Sequence, residues 1–181
     1  MQWDRLIYIP ACRQPFKAER SAVSGYHRFT MAVLATETFD EIFVSPQELE
    51  RGEISYTVET LELLRAQYPG ATLDWIIGDD NLEQLGEWKK IERIFELANF
   101  VVLTRRSPNP ESRVPSLESR VSSPAERGLC GHIVFAQNAT VPVSSTEIRR
   151  RIRAGESIGG LVDPRVSHYI EHNRLYRKAQ T

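Results

Sequence analysis

The sequence predicts an α/β fold, a mostly parallel sheet covered by helices, on three observations. Short apolar runs rich in β-branched residues recur along the chain, and helical patterns separate them. The runs also lack the strict alternation of a strand with one wet face, so they suit strands buried on both sides. At 181 residues with 41% hydrophobic content, the chain can bury a full core as one domain spanning residues 1–181.

In order, the candidate strands are Leu6 to Ile9, Ile42 to Ser45, Leu73 to Ile77, Phe100 to Thr104 and Ile133 to Ala136. Helical patterns fall at Tyr26 to Thr36, Thr57 to Gln67, Trp88 to Ala98, Thr146 to Ala154 and Val166 to Asn173. Between Thr104 and His132 the character changes. Arg105 and Arg106 lead into residues 107–128, where serine, proline and charged residues dominate and no period survives, which predicts a mobile surface loop.

In a parallel α/β sheet, ligands gather beyond the carboxyl ends of the strands, so the loops there carry the functional candidates. After the first strand, Lys17 sits in a loop with two prolines, where it either meets a phosphate or is an ordinary solvated lysine. After the second, Ser55-Tyr56-Thr57 reads as a helix start, with Ser55 or Thr57 as cap and Tyr56 either packed or bonded to a ligand. After the third comes Gly78-Asp79-Asp80-Asn81, where glycine permits close backbone approach and a carboxylate either meets a ribose hydroxyl or caps a helix. Trp88 follows as core residue or stacking platform.

Val143-Ser144-Ser145-Thr146-Glu147-Ile148-Arg149 is the most informative stretch. It opens a helical pattern with a Gly155 stop, and Ser144 with Glu147 has the spacing of a capping box. Hydroxyls and free backbone N–H groups at the positive end of a helix suit a phosphate, and Arg149 one turn on adds a forked cation. The alternative is a plain surface cap.

The formal charge of −1 excludes a general nucleic-acid or membrane binder, since no basic excess exists to neutralise phosphate in bulk. Cys12 and Cys130 stand apart, with no C-x-x-C pair, so no disulfide framework is expected and a cytoplasmic setting fits. No stretch approaches the roughly 20 apolar residues of a membrane helix.

Taken together, Ile9-Pro10-Ala11 with Lys17, His27-Arg28, Ser55 to Leu61, Ile76 to Asn81, Trp88, Val101 to Arg105, Ser144 to Arg149, Tyr169-Ile170 and Leu175-Tyr176 closely resemble the bacterial nicotinate-nucleotide adenylyltransferase family. The motifs keep the family's order from about Asp4 to Tyr176. The resemblance implies a Rossmann-like nucleotidyltransferase fold and transfer of AMP from ATP to nicotinate mononucleotide, giving deamido-NAD and pyrophosphate, with Mg²⁺ on the phosphates. It places Ser144, Ser145, Thr146 and Arg149 on the ATP phosphates, Gly78 and Asp80 at the nucleotide and its ribose, and Arg105 near that pocket. Lys17 would lie near the reacting phosphates, Tyr56 and Thr57 at the nicotinate carboxylate, and Trp88 on the pyridine ring.

One departure matters. The family opens with a strand, a turn of the form G-x-F-D-P-x-H-x-G-H and a helix, and none of these is among the 181 residues. The histidine pair of that turn steadies the triphosphate as charge develops, so its loss would remove on the order of several kcal/mol of transition-state stabilisation. The missing strand is also the central one, which leaves two apolar sheet edges. The expectation is that Met1 is an internal or misassigned start. The competing expectation is a short homologue that binds nucleotide without transferring AMP.

Two other patterns are set aside. His168-Tyr169-Ile170-Glu171-His172 matches H-x-x-E-H, yet zinc chemistry needs a third protein ligand and only nine residues follow. The arginine run 149–153 spreads over several helix faces, which divides it between one phosphate contact and solvated surface.

Overall fold

The computed structural model describes residues 3–15, 23–104, 132–136, 138–139 and 141–177. Lys17, Arg105 and the expected loop 107–128 lie outside the described residues. The chain divides into two compact units, one of Met1–Ser55 with Pro142–Thr181 and the other of Tyr56–Val141.

In the first unit, β1 (Leu6–Tyr8) pairs in parallel with β2 (Ile42–Val44), Leu6 opposite Ile42 and Tyr8 opposite Val44. The crossover between them is α1 (Gly25–Thr36), which starts where the Ser24 hydroxyl accepts a hydrogen bond from His27 N–H. A Cβ on Gly25 would overlap the Leu49 side chain, so glycine lets this helix start come close. A short helix that the sequence pattern did not suggest, α2 (Gln47–Arg51), follows β2 and stops at Gly52 in the left-handed conformation, φ 70°.

The same unit holds α5 (Ser145–Ala154) and α6 (Pro164–His172). Asp163 starts α6, with proline at the first helical position, and its carboxylate accepts from Arg165 N–H at 2.8 Å. The Arg165 guanidinium holds that carboxyl down at about 2. Ile158, Val166, Ile170 and Leu175 form the buried centre, and Met31, Leu34, Ile148 and Ile152 pack against it. Across this core His27 Nδ1 lies 2.9 Å from the Tyr169 hydroxyl, which ties α1 to α6.

In the second unit, β3 (Asp74–Gly78), β4 (Asn99–Leu103) and β5 (Ile133–Ala136) form a parallel sheet in the order β3-β4-β5. Two asparagines hold its ends. Asn99 donates to Asp74 Oδ1 at 2.8 Å and accepts from His132 N–H at 3.1 Å, so one side chain links all three strands at their amino ends. At the carboxyl ends, the Asn138 amide accepts from Thr104 N–H at 2.8 Å and donates to Thr104 C=O at 3.2 Å. The helices α3 (Thr57–Gln67) and α4 (Ile91–Leu97) pack on each other. The Arg65 guanidinium donates to the carbonyls of Ala71 and Leu97, which closes the turn after α3.

Burial on both faces holds for β4, where Phe100, Val101 and Val102 are 0% exposed, but not for β1 and β2. Tyr8 and Phe43, in a sheet of two strands among the described residues, stand 55% and 50% exposed. The helix expected from Trp88 also starts later. Residues Asp79–Glu87 wind as 3₁₀ turns, Trp88 is extended, and Lys90 turns left-handed at φ 53° before α4 begins. The left-handed residue breaks the helical hydrogen-bond ladder, so Trp88 sits on a corner. Among the described residues, no helix is long and apolar enough to cross a membrane.

Candidate active site

The candidates fall in two groups, one in each unit. In the first unit the α5 mouth forms as the spacing suggests. Ser144 is extended, at φ −123° and ψ 145°, and its hydroxyl accepts from Glu147 N–H at 3.1 Å. Ser144, Ser145 and Thr146 are all exposed, at the positive end of the helix dipole. Gly155, left-handed at φ 72°, closes the far end.

The capping box is only half made. The Glu147 carboxylate turns to Arg150 and Arg151 at 2.8 to 2.9 Å, and these two arginines hold its carboxyl down at about 2. Arg150 also reaches Glu156, at 2.9 and 3.0 Å. Arg149 leans back to the Thr146 hydroxyl at 3.4 Å, which brings its guanidinium to the helix mouth. The arginine run is thus sorted by its partners, with Arg150 and Arg151 held by carboxylates and Arg149 placed where an anion would sit. Replacing Ser144 by alanine removes the cap and is expected to lower the unfolding free energy by about 1 kcal/mol, read as a shift of the urea midpoint.

The loop after β1 is shaped by backbone contacts. Arg28 donates to the carbonyls of Ala11 and Cys12. Ser55 is not a helix cap, since its hydroxyl accepts from Cys12 N–H at 2.9 Å and its N–H donates to Arg13 C=O at 2.9 Å. A cavity of about 440 Å³ between β1, α1 and the start of α6 is lined by Tyr8, Met31, Ala35 and Val166 together with Pro10 and Arg28 of the sequence motifs, and by none of the residues expected to touch substrate.

In the second unit Tyr56, not Ser55 or Thr57, occupies the N-cap position of α3, and it does so without a side-chain cap bond. The mouth of α3 is therefore framed by the Tyr56 ring and the Thr57 hydroxyl. Gly78 ends β3 in ordinary extended geometry, at φ −81°. Of the two carboxylates beyond it, Asp79 is 0% exposed, whereas Asp80 is half-buried and accepts from the Asn81 amide at 3.3 Å. Asp80 is thus the member of the pair that a ligand can reach.

Trp88 is half-buried, with its ring edge-on to Phe100 at 6.0 Å between centroids. The residue after it, which the sequence did not single out, joins this corner to α3. Lys89 Nζ lies 2.7 Å from Glu59 Oε1 and 4.0 Å from the centre of the Tyr56 ring. Lys89 thus ties the chain next to Trp88 to the start of α3.

A cytidylyltransferase-like family model matches residues 2–151. A protein of Gemmatimonas aurantiaca named probable nicotinate-nucleotide adenylyltransferase is 35% identical over 178 residues, covering 98% of this chain and 81% of that protein. One of the same name from Syntrophotalea carbinolica is 36% identical over 186 residues, covering 98% and 85%. The chain belongs to the nicotinate-nucleotide adenylyltransferase family. A solved member from Plasmodium falciparum, nicotinic acid mononucleotide adenylyltransferase complexed with NaAD, superposes with a TM-score of 0.68 at 16% identity, over 96% of this chain and 82% of that one. That likeness is one of fold, and the fold is Rossmann-like nucleotidyltransferase, with parallel sheets flanked by helices.

For an adenylyltransferase the metal question follows from the donor set. Among the described residues no three His, Cys, Asp or Glu side chains converge on one point, so no protein cage for a resident ion is formed there. His168 and His172 are exposed and stacked, with ring centres 6.1 Å apart. A Mg²⁺ ion that arrives on a triphosphate belongs to the substrate.

Proposed function

We propose that this adenylyltransferase transfers AMP from ATP to nicotinate mononucleotide in NAD biosynthesis. A phosphate oxygen of the mononucleotide attacks the α-phosphorus of ATP, the bond to the β-phosphate oxygen breaks, and deamido-NAD and pyrophosphate leave. What carries the proposal is the likeness, at about one residue in three and over nearly the whole chain, to relatives that bear this activity's name.

The chain's own residues supply position and charge for an in-line attack. Ser144, Ser145 and Thr146 donate to the ATP phosphates from the α5 mouth, and Arg149 adds a fork beside them. Gly78 and Asp80 meet the nucleotide, the carboxylate on a ribose hydroxyl. Lys17 and Arg105 are assigned to the phosphates and the nucleotide pocket on family likeness. Tyr56 and Thr57 hold the nicotinate carboxylate at the α3 mouth, and Trp88 stacks on the pyridine. Mg²⁺ enters on ATP, where it neutralises phosphate charge. The setting is the cytoplasm, with small-molecule substrates and neither nucleic acid nor membrane as partner.

The test is pyrophosphate release from ATP with nicotinate or nicotinamide mononucleotide, and release with neither would refute the transfer. The alternative, nucleotide binding without transfer, requires ATP binding with no pyrophosphate produced under any condition. The stacking role has its own check. Trp88→Ala should raise the KM for the mononucleotide about tenfold and leave that for ATP within a factor of about two, since a base on an aromatic ring is worth roughly 1–3 kcal/mol. Equal losses for both substrates would move Trp88 out of the pyridine site.

A further inference from the structure

We propose that the Lys89 ammonium distinguishes the carboxylate of the pyridine mononucleotide from an amide, and that Glu59 sets how strongly it does so. The inference rests on the reaction proposed above and goes beyond it, to a side chain that the family motifs do not single out.

Three observations meet at one corner of the second unit. Lys89 follows Trp88 directly, and the Trp88 ring is steadied edge-on against Phe100. Its Nζ lies 4.0 Å from the centre of the Tyr56 ring, the residue that starts α3. The same Nζ is 2.7 Å from Glu59 Oε1, with the two side chains 44% and 32% exposed. The ammonium therefore lies over an aromatic face and within hydrogen-bond distance of a carboxylate oxygen.

That arrangement works as a carboxylate slot already filled by a protein group. A flat acid stacked on Trp88, with its carboxylate toward the α3 mouth, meets Lys89 at the place Glu59 now occupies. Lys89 then exchanges one anionic partner for another and is never left desolvated and unpaired, which is the costly state. A carboxamide carries no charge. It cannot displace Glu59, so the ion pair stays closed against it. The bland alternative is an ordinary surface ion pair, and such pairs contribute little to stability and nothing to substrate choice.

The two residues predict opposite signs. In the full chain, Lys89→Met should lower the ratio of kcat/KM for nicotinate over nicotinamide mononucleotide about tenfold, the low end for a charge-assisted hydrogen bond at a half-exposed site. The loss should fall in the KM for nicotinate mononucleotide, with the KM for ATP unmoved. Glu59→Gln should raise the same ratio, because the competing carboxylate is gone while the helix position is kept.

A ratio unchanged in Lys89→Met, or an equal loss with both mononucleotides, overturns the proposal. So does a ratio that falls in Glu59→Gln. If the unsubstituted protein turns over neither mononucleotide, the reaction itself is refuted. Lys89 is then judged by calorimetric binding of nicotinate mononucleotide alone, where Lys89→Met must lose about tenfold in affinity.

Discussion

Replacing Phe100 by alanine is expected to lower the unfolding free energy by about 3–5 kcal/mol, the range for deleting a fully buried aromatic ring. Phe100 is 0% exposed on the central strand of its sheet, opposite Trp75 on β3 and Ile133 on β5. Its ring meets Phe95 edge-on at 5.0 Å and Trp88 at 6.0 Å, so the cavity would open between β4, α4 and the corner that carries Trp88. Domains are stable by only about 5–15 kcal/mol, and the change would consume a large share of that. Urea unfolding followed by circular dichroism reads it directly. Phe100→Leu, which keeps most of the volume, should lose about 1–1.5 kcal/mol. A loss below about 1 kcal/mol for alanine would mean that the core collapses around the gap and that the edge contacts matter little. Mononucleotide binding should weaken in the alanine variant as well, although Phe100 is assigned to no substrate, because Trp88 loses the ring that steadies it.

Arg149→Ala is expected to raise the KM for ATP by roughly 10- to 100-fold, corresponding to about 1.5–3 kcal/mol for hydrogen bonds to a charged group. Arg150→Ala, one residue on, should change it less than about threefold. The contrast comes from where each guanidinium points. Arg150 is held by Glu147 and Glu156, whereas Arg149 reaches back to the Thr146 hydroxyl at the helix mouth. Arg149→Lys should recover only part of the loss, since an ammonium supplies the charge but not the planar fork. Steady-state kinetics with ATP varied at saturating mononucleotide would measure all three. Equal effects at positions 149 and 150 would show that α5 acts as a diffuse cationic surface and that no single residue receives the phosphate.

The features that were legible from residues alone are those set by near neighbours. Strand and helix periods repeat within a few positions, and a Ser144 cap needs only a backbone N–H three residues on. For that reason β5 and α3 fall where the pattern places them, and the hydroxyl mouth of α5 forms. The same locality explains the misses. Trp88 lies in an unbroken helical pattern by composition, and the left-handed turn at Lys90 that separates it from α4 has no residue signal, because lysine is not a turn former. Ser55 has the look of a cap, yet its hydroxyl is claimed by Cys12, 43 residues away. The choice of nicotinate over nicotinamide came from family likeness, and Lys89 gives it a physical candidate.

By itself the sequence determined the alternation of strands and helices, the apolar centre of β4 and the serine-capped start of α5, since periodicity, burial preference and capping act within a turn or a strand. Tertiary structure decided which of two adjacent carboxylates is buried, Asp79 and not Asp80. It also decided that Lys89, Glu59 and Tyr56 meet. The Lys89–Glu59 pair joins residues 30 positions apart, and the Cys12–Ser55 hydrogen bond residues 43 apart. Such contacts form only after the strands have paired and the helices have packed, because the entropy of closing each loop must first be offset by burial elsewhere.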